Sequence, residues 1–504
     1  MNPPKRALTA AACSTALTGG LLAAAPAAAG IHDSTDIDWQ PCPDLEPGQV
    51  VDCATIEVPL DYSAPDGQTI EIGLARRQAT DPERRIGTIL MDPGGPGGSG
   101  VAAVSAYNPL TDDLAERFDV VGFDPRGVNT STEVLCGAEE ISEVERIGIP
   151  TDQESFEALE AANAALAADC RERTGPLFDH VDNLHTVEDM ERIRLALGEG
   201  DLNYLGYSYG TLMGQQYAAT YPEHVRSMVL DGNMDHSLKS AWEFMGTETA
   251  AVEENFISFA QWCESDRSCA LYGEDVSEIY SDLKARARSG ELTDPETGAP
   301  LDFYGLFSYM WSVNSPSAWE DLGLLLEAIQ EGQGLTSASL LEEPEPVGNL
   351  YFPAWCQDWG IGIADFDEFT ELTGKLAAEY PNVEWTYYNE AALTCVGSGI
   401  EHTNPRGELE VDDAPPLLFL GNLHDFATVY PWTEAVVEQS GGHLITYEGY
   451  GHTVYSGITD CVDGPVDAYF TDLTLPEEDL TCPNLDHPGG STFPDRTGPH
   501  TGPF

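Results

Sequence analysis

Hydrophobic and polar positions follow two patterns along the chain, and the change between them predicts the order of the elements. Near the start, "CATIEVPLDY" and "TIEIGLARRQA" alternate apolar and polar residues, which predicts paired strands joined at the turn "SAPDG". Apolar runs follow in "IGTILMD", "FDVVGFD" and "LNYLGY", and each of them runs into a loop. Such runs are typical of buried strands.

Helical spacing appears between the later strands. In "TVEDMERIRLALG" the apolar residues recur at helical spacing, with Thr186 as the expected N-cap and Gly198 as the expected end. "TLMGQQYAATYP" predicts a second helix, whereas "VRSMVLDGNMD" and "HLITYEGYGHT" predict further strands. Strands that alternate with helices predict an α/β fold with a mostly parallel sheet flanked by helices.

A segment of different character interrupts this alternation between about residues 236 and 395. Seven of the nine Trp residues lie there, and stretches such as "AWEFMGTETAAVEENFISFAQWC" predict helices. We therefore expect a core in two parts, 30–235 and 396–482, separated by a helical insertion, 236–395. The last stretch, 483–504, is rich in Pro and Gly and is predicted to be disordered.

The N-terminus has the composition of an export signal. Two basic residues precede an apolar, Ala-rich stretch, and Ala27 and Ala29 fit a small-residue cleavage motif. We expect 1–29 to be a signal peptide that is cleaved near Ala29. Cys13 leaves a lipid anchor as an alternative, although "TAAAC" is a poor attachment sequence. No other run reaches about 18 apolar residues, so we expect a secreted mature protein that has no membrane partner.

The cysteines agree with export. Ten remain after Cys13, and an even number in a secreted chain predicts disulfides. Sequence does not prove their connectivity, but pairing between sequence neighbours would join Cys42–Cys53, Cys136–Cys170, Cys263–Cys269, Cys356–Cys395 and Cys461–Cys482. No C-x-x-C pair occurs, and we predict neither a metal nor an organic cofactor.

The formal net charge of −64 changes the choice of partners. Nucleic acids and anionic membranes are polyanions, so both are excluded as expected partners. The acids are spread along the chain, which is typical of the solvated surface of proteins that work at high salt. An acidic secreted protein that works at ordinary salt is the alternative.

The stretch Gly206–Gly210 matches G-x-S-x-G between a predicted strand and a predicted helix. A nucleophilic serine on a sharp strand-to-helix turn requires small residues two positions before and after it. Ser208 is therefore the candidate nucleophile. The alternative is a structural serine in a closely packed turn, because the pattern is weakly specific in a chain with 49 glycines.

A nucleophilic serine needs N–H groups that stabilise an oxyanion. One donor would be the backbone of Tyr209, and the other would come from the loop "DPGGPGG" after an earlier strand. We favour Gly95 in this loop, with Gly94 as the second choice, because glycine lets the backbone approach a substrate closely. A plain turn is the alternative.

The base and the acid are expected after the insertion, in the chain order Ser, acid, His. The candidate histidines there are His424, His443, His452, His487 and His500. His452 follows a predicted strand in the loop "GYGHT", and we predict that it is the base. Asp425 follows the strand "LLFL" and is the candidate acid, whose carboxylate Thr428 would support by a hydrogen bond.

"FDPRG" places Asp124 and Arg126 in another loop at the end of a strand. We predict that both fix the loops around the site by ion pairing. Direct contact with the substrate is the alternative.

The motifs "DPGGPGGSG", "FDPRG", "YLGYSYGT", "HDFAT" and "GYGHT" together resemble the secreted tripeptidyl aminopeptidases of actinobacteria. These are α/β-hydrolase serine peptidases related to proline iminopeptidases, and the resemblance runs from about Cys53 to Cys482. It implies an α/β-hydrolase fold with a helical cap after the sixth strand. It also implies the roles proposed above for Ser208, Asp425 and His452, with Gly95 and Tyr209 at the oxyanion hole.

Two loops depart from the family pattern. The loop that usually reads D-P-A-T-P is "DFATV" here, and the first glycine loop begins with Asp92 instead of the usual Asn. Both departures concern loop geometry, and so the substrate range.

The predicted activity is that of a secreted serine exopeptidase, which removes short peptides such as tripeptides, or single residues, from free N-termini through an acyl-enzyme. A carboxylesterase or lipase with the same triad is the alternative, and a non-catalytic binding protein is a more remote one. A free ammonium group needs carboxylate or carbonyl partners. The cap offers Glu243, Glu248, Glu253 and Glu254.

Overall fold

One ten-stranded sheet organises the described part of the chain. The computed structural model describes residues 37–485, except for 44, 46–47, 296 and 334–346. The predicted signal peptide and residues 486–504 of the predicted tail lie outside the described residues. The strands are β1 (Gln40–Pro41), β2 (Asp52–Pro59), β3 (Thr69–Arg77), β4 (Gly87–Asp92), β5 (Phe118–Phe123), β6 (Leu135–Cys136), β7 (Leu202–Tyr207), β8 (Val225–Asp231), β9 (Val347–Gly348), β10 (Leu418–His424), β11 (His443–Tyr450) and β12 (Leu480–Cys482).

The sheet is mostly parallel, as the sequence predicted. Its strand order is β1-β2-β3-β5-β4-β7-β8-β10-β11-β12. The first four strands in this order pair antiparallel, and every pair from β5 to β12 is parallel. All residues of β4, β5 and β7 are buried, which explains their continuous apolar runs. Because these strands are parallel, their carboxyl ends meet at one edge.

Helices cover both faces of the sheet. They are α1 (Gly100–Ala106), α2 (Asp112–Arg117), α3 (Ala138–Ile147), α4 (Gln153–Thr174), α5 (Asn183–Leu197), α6 (Tyr209–Thr220), α7 (Ala241–Ser265), α8 (Val276–Arg288), α9 (Phe303–Ser308), α10 (Trp319–Glu331), α11 (Tyr351–Trp359), α12 (Phe366–Glu379), α13 (Glu390–Leu393), α14 (Tyr430–Ser440) and α15 (Asp460–Asp472). Within the described ranges, no helix is both long and apolar enough to cross a bilayer.

Residue alternation along β4 assigns the two faces. Ile89 and Met91 belong to a core cluster that also contains apolar residues of α1, α2 and α15. Leu90 belongs to the other cluster, with residues of α5, α6 and α14. Successive side chains of a strand point to opposite faces, so both faces of this strand are covered by helices.

The start of α5 differs from the sequence prediction. Its N-cap is Asp182, whose side chain accepts the N–H of His185, whereas Thr186 lies inside the helix and is buried. Both residues are good N-caps, but Asp182 begins the helix four residues earlier, which is slightly more than one turn. This displacement brings His185 into the first turn.

Helices α7–α13 lie between β8 and β10 among the described residues, in the part of the chain where the sequence predicts a helical insertion. A second segment, which contains β6 and α4 and which we had expected within the core, packs against the region between β8 and β10. In α4, the Asn163 side chain donates to the carbonyl oxygens of Leu393 (3.0 Å) and Val396 (2.9 Å). The short strands β6 and β9 also pair, so the two segments are joined by backbone hydrogen bonds.

Five disulfides join the cysteines in the order in which they follow one another in the sequence. The pairs are Cys42–Cys53, Cys136–Cys170, Cys263–Cys269, Cys356–Cys395 and Cys461–Cys482. They are the pairs that neighbour pairing favoured, and they agree with an oxidising compartment.

Candidate active site

Ser208 stands at the sharp turn between β7 and α6. Its φ of 54° lies in the left-handed region, which residues with side chains adopt at a cost. The flanking glycines provide the space for this turn. A Cβ on Gly206 would lie 2.6 Å from the carbonyl oxygen of Gly210, and one on Gly210 would lie 2.9 Å from that of Asp92. The turn therefore has the geometry that the G-x-S-x-G pattern requires.

The glycine loop after β4 lies directly against this turn. A Cβ on Gly94 would lie 2.5 Å from the carbonyl oxygen of Tyr207 and 2.9 Å from the backbone nitrogen of Tyr209. The N–H of Gly94 donates to Asp92 at 2.8 Å. Among the described residues, the N–H groups of Gly95 and Tyr209 have no protein acceptor. Two adjacent segments thus offer one unengaged N–H group each.

Asp92 holds the base of the glycine loop where the family usually has Asn. Its side chain is fully buried, and only one of its two oxygens has a hydrogen-bond partner among the described residues. Burial, assisted by the nearby Asp124 carboxylate, raises the pKa of Asp92 well above its ordinary value. An oxygen of Asp92 accepts the N–H of Gly94, as the side-chain oxygen of Asn can, so this departure keeps the contact with Gly94.

Asp425 and His452 come together at the carboxyl ends of β10 and β11. The Nδ1 atom of His452 lies 2.9 Å and 3.1 Å from the two carboxylate oxygens of Asp425. The hydroxyl of Thr428 donates to the same carboxylate at 2.9 Å, as the sequence predicted. Burial lowers the pKa of His452, but the Asp425 carboxylate more than compensates, and the pKa is raised overall.

The imidazole of His452 lies close to the serine turn. The backbone N–H of Ser208 donates to the carbonyl oxygen of Asp231 at 2.9 Å. The next residue, Gly232, faces the histidine, because a Cβ built on it would lie 3.1 Å from Cε1 of His452 and 2.8 Å from Oγ1 of Thr428. Ser208, Asp425 and His452 are thus brought together at one edge of the sheet, from strand ends far apart in the sequence.

The other described candidates for the base are placed differently. The ring of His424 stacks on Tyr450 with a centroid distance of 4.1 Å, and burial lowers its pKa. His443 begins β11, at the opposite end of that strand from the site. His487 and His500 lie outside the described residues.

Asp231 is a site residue that the sequence analysis did not name. It ends β8, is fully buried, and accepts the N–H groups of Val454 and Tyr455 at 2.8 Å each. Burial raises its pKa to about 6, although these two N–H groups oppose the rise. Asp231 therefore fixes the loop that carries His452. In the sequence, the position of Asp231 at the end of an apolar run was the signal that could have identified it.

Asp124 and Arg126 are both fully buried and make structural contacts. Asp124 accepts hydrogen bonds from hydroxyl, side-chain amide and backbone N–H groups of Ser99, Val101 and the loop 129–130, but from no basic side chain among the described residues. The ion pairing predicted for Asp124 was therefore wrong. Donors at the start of α1 and in the loop 129–130 surround the carboxylate instead.

Arg126 does form an ion pair, but with Asp189. Its guanidinium contacts both carboxylate oxygens of Asp189 at 2.7 and 2.8 Å and donates to the carbonyl oxygens of Pro59, Leu60 and His180. A bidentate pair of this kind fixes the relative positions of β2, the Arg126 loop and α5.

A cap residue contacts the residue that follows Ser208. The hydroxyl of Tyr209 donates in a short hydrogen bond to Asp358 at the end of α11. The same carboxylate accepts the backbone N–H of Asn183 at 2.7 Å and the amide of Asn404 at 2.8 Å. Burial raises the pKa of Asp358 to about 7. The cap is therefore hydrogen-bonded to the serine turn.

Aromatic side chains extend from the cap to the histidine. The ring of Phe426 packs on Trp311 with centroids 4.5 Å apart, and lies 6.1 Å from Tyr387 and 6.4 Å from His452. Trp311 is 41% exposed. An apolar wall, formed by Trp311, Tyr387 and Phe426, thus stands beside the imidazole.

Comparisons with known proteins agree with this geometry. Residues 87–318 match the family model of the α/β-hydrolase fold, and residues 381–482 match that of TAP-like proteins. The tripeptidyl aminopeptidase of Streptomyces coelicolor is 28% identical over 92% of this chain and 88% of its own length. The chain is an α/β-hydrolase that is similar to the tripeptidyl aminopeptidases. The fold class and the resemblance predicted from the sequence are confirmed, and the protein is a serine hydrolase of the peptidase type.

Two further relatives show the range of this similarity. Serine protease Hip1 of Mycobacterium tuberculosis is 28% identical over 88% of this chain and 91% of its own length. Carboxylesterase B of the same species is 29% identical over 92% of this chain and 96% of its own length. Relatives at equal distance thus carry peptidase and esterase names.

Proposed function

We propose that this hydrolase is a secreted exopeptidase that releases short peptides, such as tripeptides, from free N-termini. The contact between Asp425 and His452 beside the strained Ser208 carries the proposal. Ser208 attacks the scissile carbonyl while His452 accepts its proton, and Asp425 stabilises the imidazolium that forms. His452 then protonates the leaving amine, and water releases the acyl group.

The N–H groups of Tyr209 and Gly95 would stabilise the oxyanion. Both lack a protein acceptor among the described residues, whereas the N–H of Gly94 is engaged by Asp92. This difference supports our choice of Gly95 over Gly94. Donors that are free and fixed before the reaction stabilise the developing charge without reorganisation.

The four cap acids differ in their suitability for binding a substrate ammonium. Glu243 and Glu254 are exposed, and Glu253 accepts three N–H groups from Asn382 and Val383. Glu248 is fully buried and accepts the hydroxyl of Thr386, which precedes Tyr387 of the apolar wall. We therefore propose Glu248 as the group that binds the free N-terminus.

A carboxylesterase is the second candidate function. The similarity to Carboxylesterase B supports it, and the same serine, histidine and acid would hydrolyse an ester. The two functions differ in whether a free amine is required.

Matched chromogenic substrates distinguish them. Ala-, Ala-Pro- and Ala-Ala-Pro-anilides, free and N-acetylated, would be compared with p-nitrophenyl butyrate at low and molar salt. Turnover of free peptides that is lost on acetylation and in Ser208→Ala supports the exopeptidase. Ester turnover without peptide turnover would establish the esterase, and activity that survives in Ser208→Ala would refute the nucleophile.

The role of Glu248 is tested on the same substrates. Removing a charged hydrogen-bond partner costs about 1.5–3 kcal/mol, which predicts a roughly 10- to 100-fold lower kcat/KM for free peptides in Glu248→Gln. Hydrolysis of the ester should stay unchanged, which shows that the site is intact. Glu254→Gln, on the exposed face of the same helix, is the control. An equal loss on peptide and ester would contradict the assignment.

A further inference from the structure

Three potential metal ligands lie together on the side of the core where α5 begins. Asp61 follows β2, His180 follows the 3-10 turn Gly175–Asp179, and His185 lies in the first turn of α5. One ligand atom from each side chain lies within 4.8 Å of the other two. All three residues are partly exposed, so solvent and ions reach them.

A buried carboxylate orients one of these histidines. Asp182 is 2% exposed, and its two oxygens lie 2.9 and 3.0 Å from Nδ1 of His185. The hydroxyl of Thr403 donates to Asp182 at 2.8 Å and fixes the carboxylate in turn. A hydrogen bond at Nδ1 leaves Nε2 of His185 as the nitrogen with a free lone pair. Carboxylates orient metal-bound histidines in this way.

The cluster is also fixed through its backbone. The carbonyl oxygen of His180 accepts a hydrogen bond from Arg126 at 3.0 Å, and Arg126 is paired with Asp189 of α5. The rings of His180 and His185 meet edge to face, with centroids 5.1 Å apart.

We propose that Asp61, His180 and His185 form a site for a divalent transition metal of the zinc class, with Asp182 as the residue that orients His185. Two imidazole nitrogens and one carboxylate oxygen suit Zn²⁺ better than Ca²⁺ or Mg²⁺, which prefer oxygen ligands. Ligands about 2.0–2.2 Å from Zn²⁺ lie closer together than 4.8 Å, so small side-chain rotations complete the site.

This metal would join three segments that are separate in the sequence. It would tie the chain after β2 to the turn before α5 and to the first turn of α5. The carboxylates of Asp61 and Asp182 balance the charge of the ion. A metal that binds only the folded protein raises its melting temperature.

Zinc binding to the tag-free mature protein provides the test, after treatment with EDTA and its removal. We expect saturable binding of Zn²⁺ by calorimetry and a higher melting temperature on addition of Zn²⁺. Co²⁺ should give the visible absorption of a bound imidazole site. His180→Gln and His185→Gln should abolish these effects. Asp182→Asn keeps an N-cap and should weaken Zn²⁺ binding about 10- to 100-fold.

His224→Gln is the matched control. His224 also faces a carboxylate, that of Glu191 at 3.1 Å, but it does not belong to the cluster, so Zn²⁺ binding should be unchanged. Binding that persists in both cluster variants would overturn the proposal, as would wild-type protein that binds Zn²⁺ no better than His185→Gln. Ca²⁺ binding in place of Zn²⁺ would refute the donor argument.

Discussion

Replacing Asp425 by Asn tests the proposed triad with the smallest change of shape. The amide oxygen can keep the hydrogen bonds from the N–H groups of Ala427 and Thr428, which one Asp425 oxygen accepts at 2.8 and 3.2 Å. The amide nitrogen, however, would donate to Nδ1 of His452. The histidine would then carry its proton on Nε2 and could not accept one from the serine.

The expected loss follows from the buried contact. A charge pair about 4 Å apart is worth about 4 kcal/mol at the effective dielectric constant typical of protein sites, or about three factors of ten in rate. The wrong tautomer adds to this, and the corresponding change in a serine protease triad costs about 10⁴ in kcat. We expect kcat of Asp425→Asn to fall by roughly 10³- to 10⁴-fold on peptide and ester alike.

Asp231→Asn is the control, because Asp231 is the other buried acid near His452. One oxygen of Asp231 accepts both N–H groups of the histidine loop, and an amide oxygen can do the same. Its kcat should stay within about tenfold of wild type. Steady-state kinetics with thermal melts would compare the two variants. The assignment of Asp425 as the acid would be refuted if Asp425→Asn kept a tenth or more of the wild-type kcat. It would also be refuted if the kcat of Asp231→Asn fell as far as that of Asp425→Asn.

Three further predictions follow from the described contacts. Gly94→Ala should abolish activity because its Cβ would enter the serine turn, whereas Gly48→Ala, with a similar φ (99° against 97°) and open space, should keep it; the peptide and ester assays decide. Burial raises the pKa of Asp358 to about 7, so this group should contribute a fall in stability of roughly 1 kcal/mol per pH unit as the pH rises from about 4 towards 7, and the slope measured by denaturant unfolding should be shallower by that amount in Asp358→Asn. Replacing Cys461 and Cys482 by Ala removes a disulfide that closes a 21-residue separation, and should lower the free energy of unfolding by about 3 kcal/mol, measured in urea, while activity remains.

Local patterns in the sequence predicted the sheet and the serine turn because the cause of each is local. A buried parallel strand is apolar throughout, as in β4, and a strained turn needs glycine on both sides of Ser208. His452 and Asp425 could be chosen because both follow apolar strands, and the ends of parallel strands meet at one edge.

Residues that act through contacts distant in sequence gave no such signal. Asp231 and Asp358 are two acids among 86, and only the fold shows that one is bonded to the histidine loop and the other to Tyr209. The N-cap of α5 was misplaced because Asp182 and Thr186 are both favourable caps, and contacts of Asp182 with His185 and Thr403 decide between them.

The contacts of Asp358 also restrict how substrate can reach Ser208. The carboxylate of Asp358 accepts hydrogen bonds from Tyr209, Asn183 and Asn404. The backbone carbonyl oxygen of Asp358 accepts a further hydrogen bond from His236 at 2.6 Å. Leaving such buried groups without partners costs about 1–3 kcal/mol each, so a cap that lifted α11 away would lose several times that amount. Such a movement of α11 would also release Tyr209, whose backbone N–H is proposed to stabilise the oxyanion. We therefore expect α11 to stay fixed during turnover, with substrate entering beside the exposed Trp311 at the far end of the apolar wall.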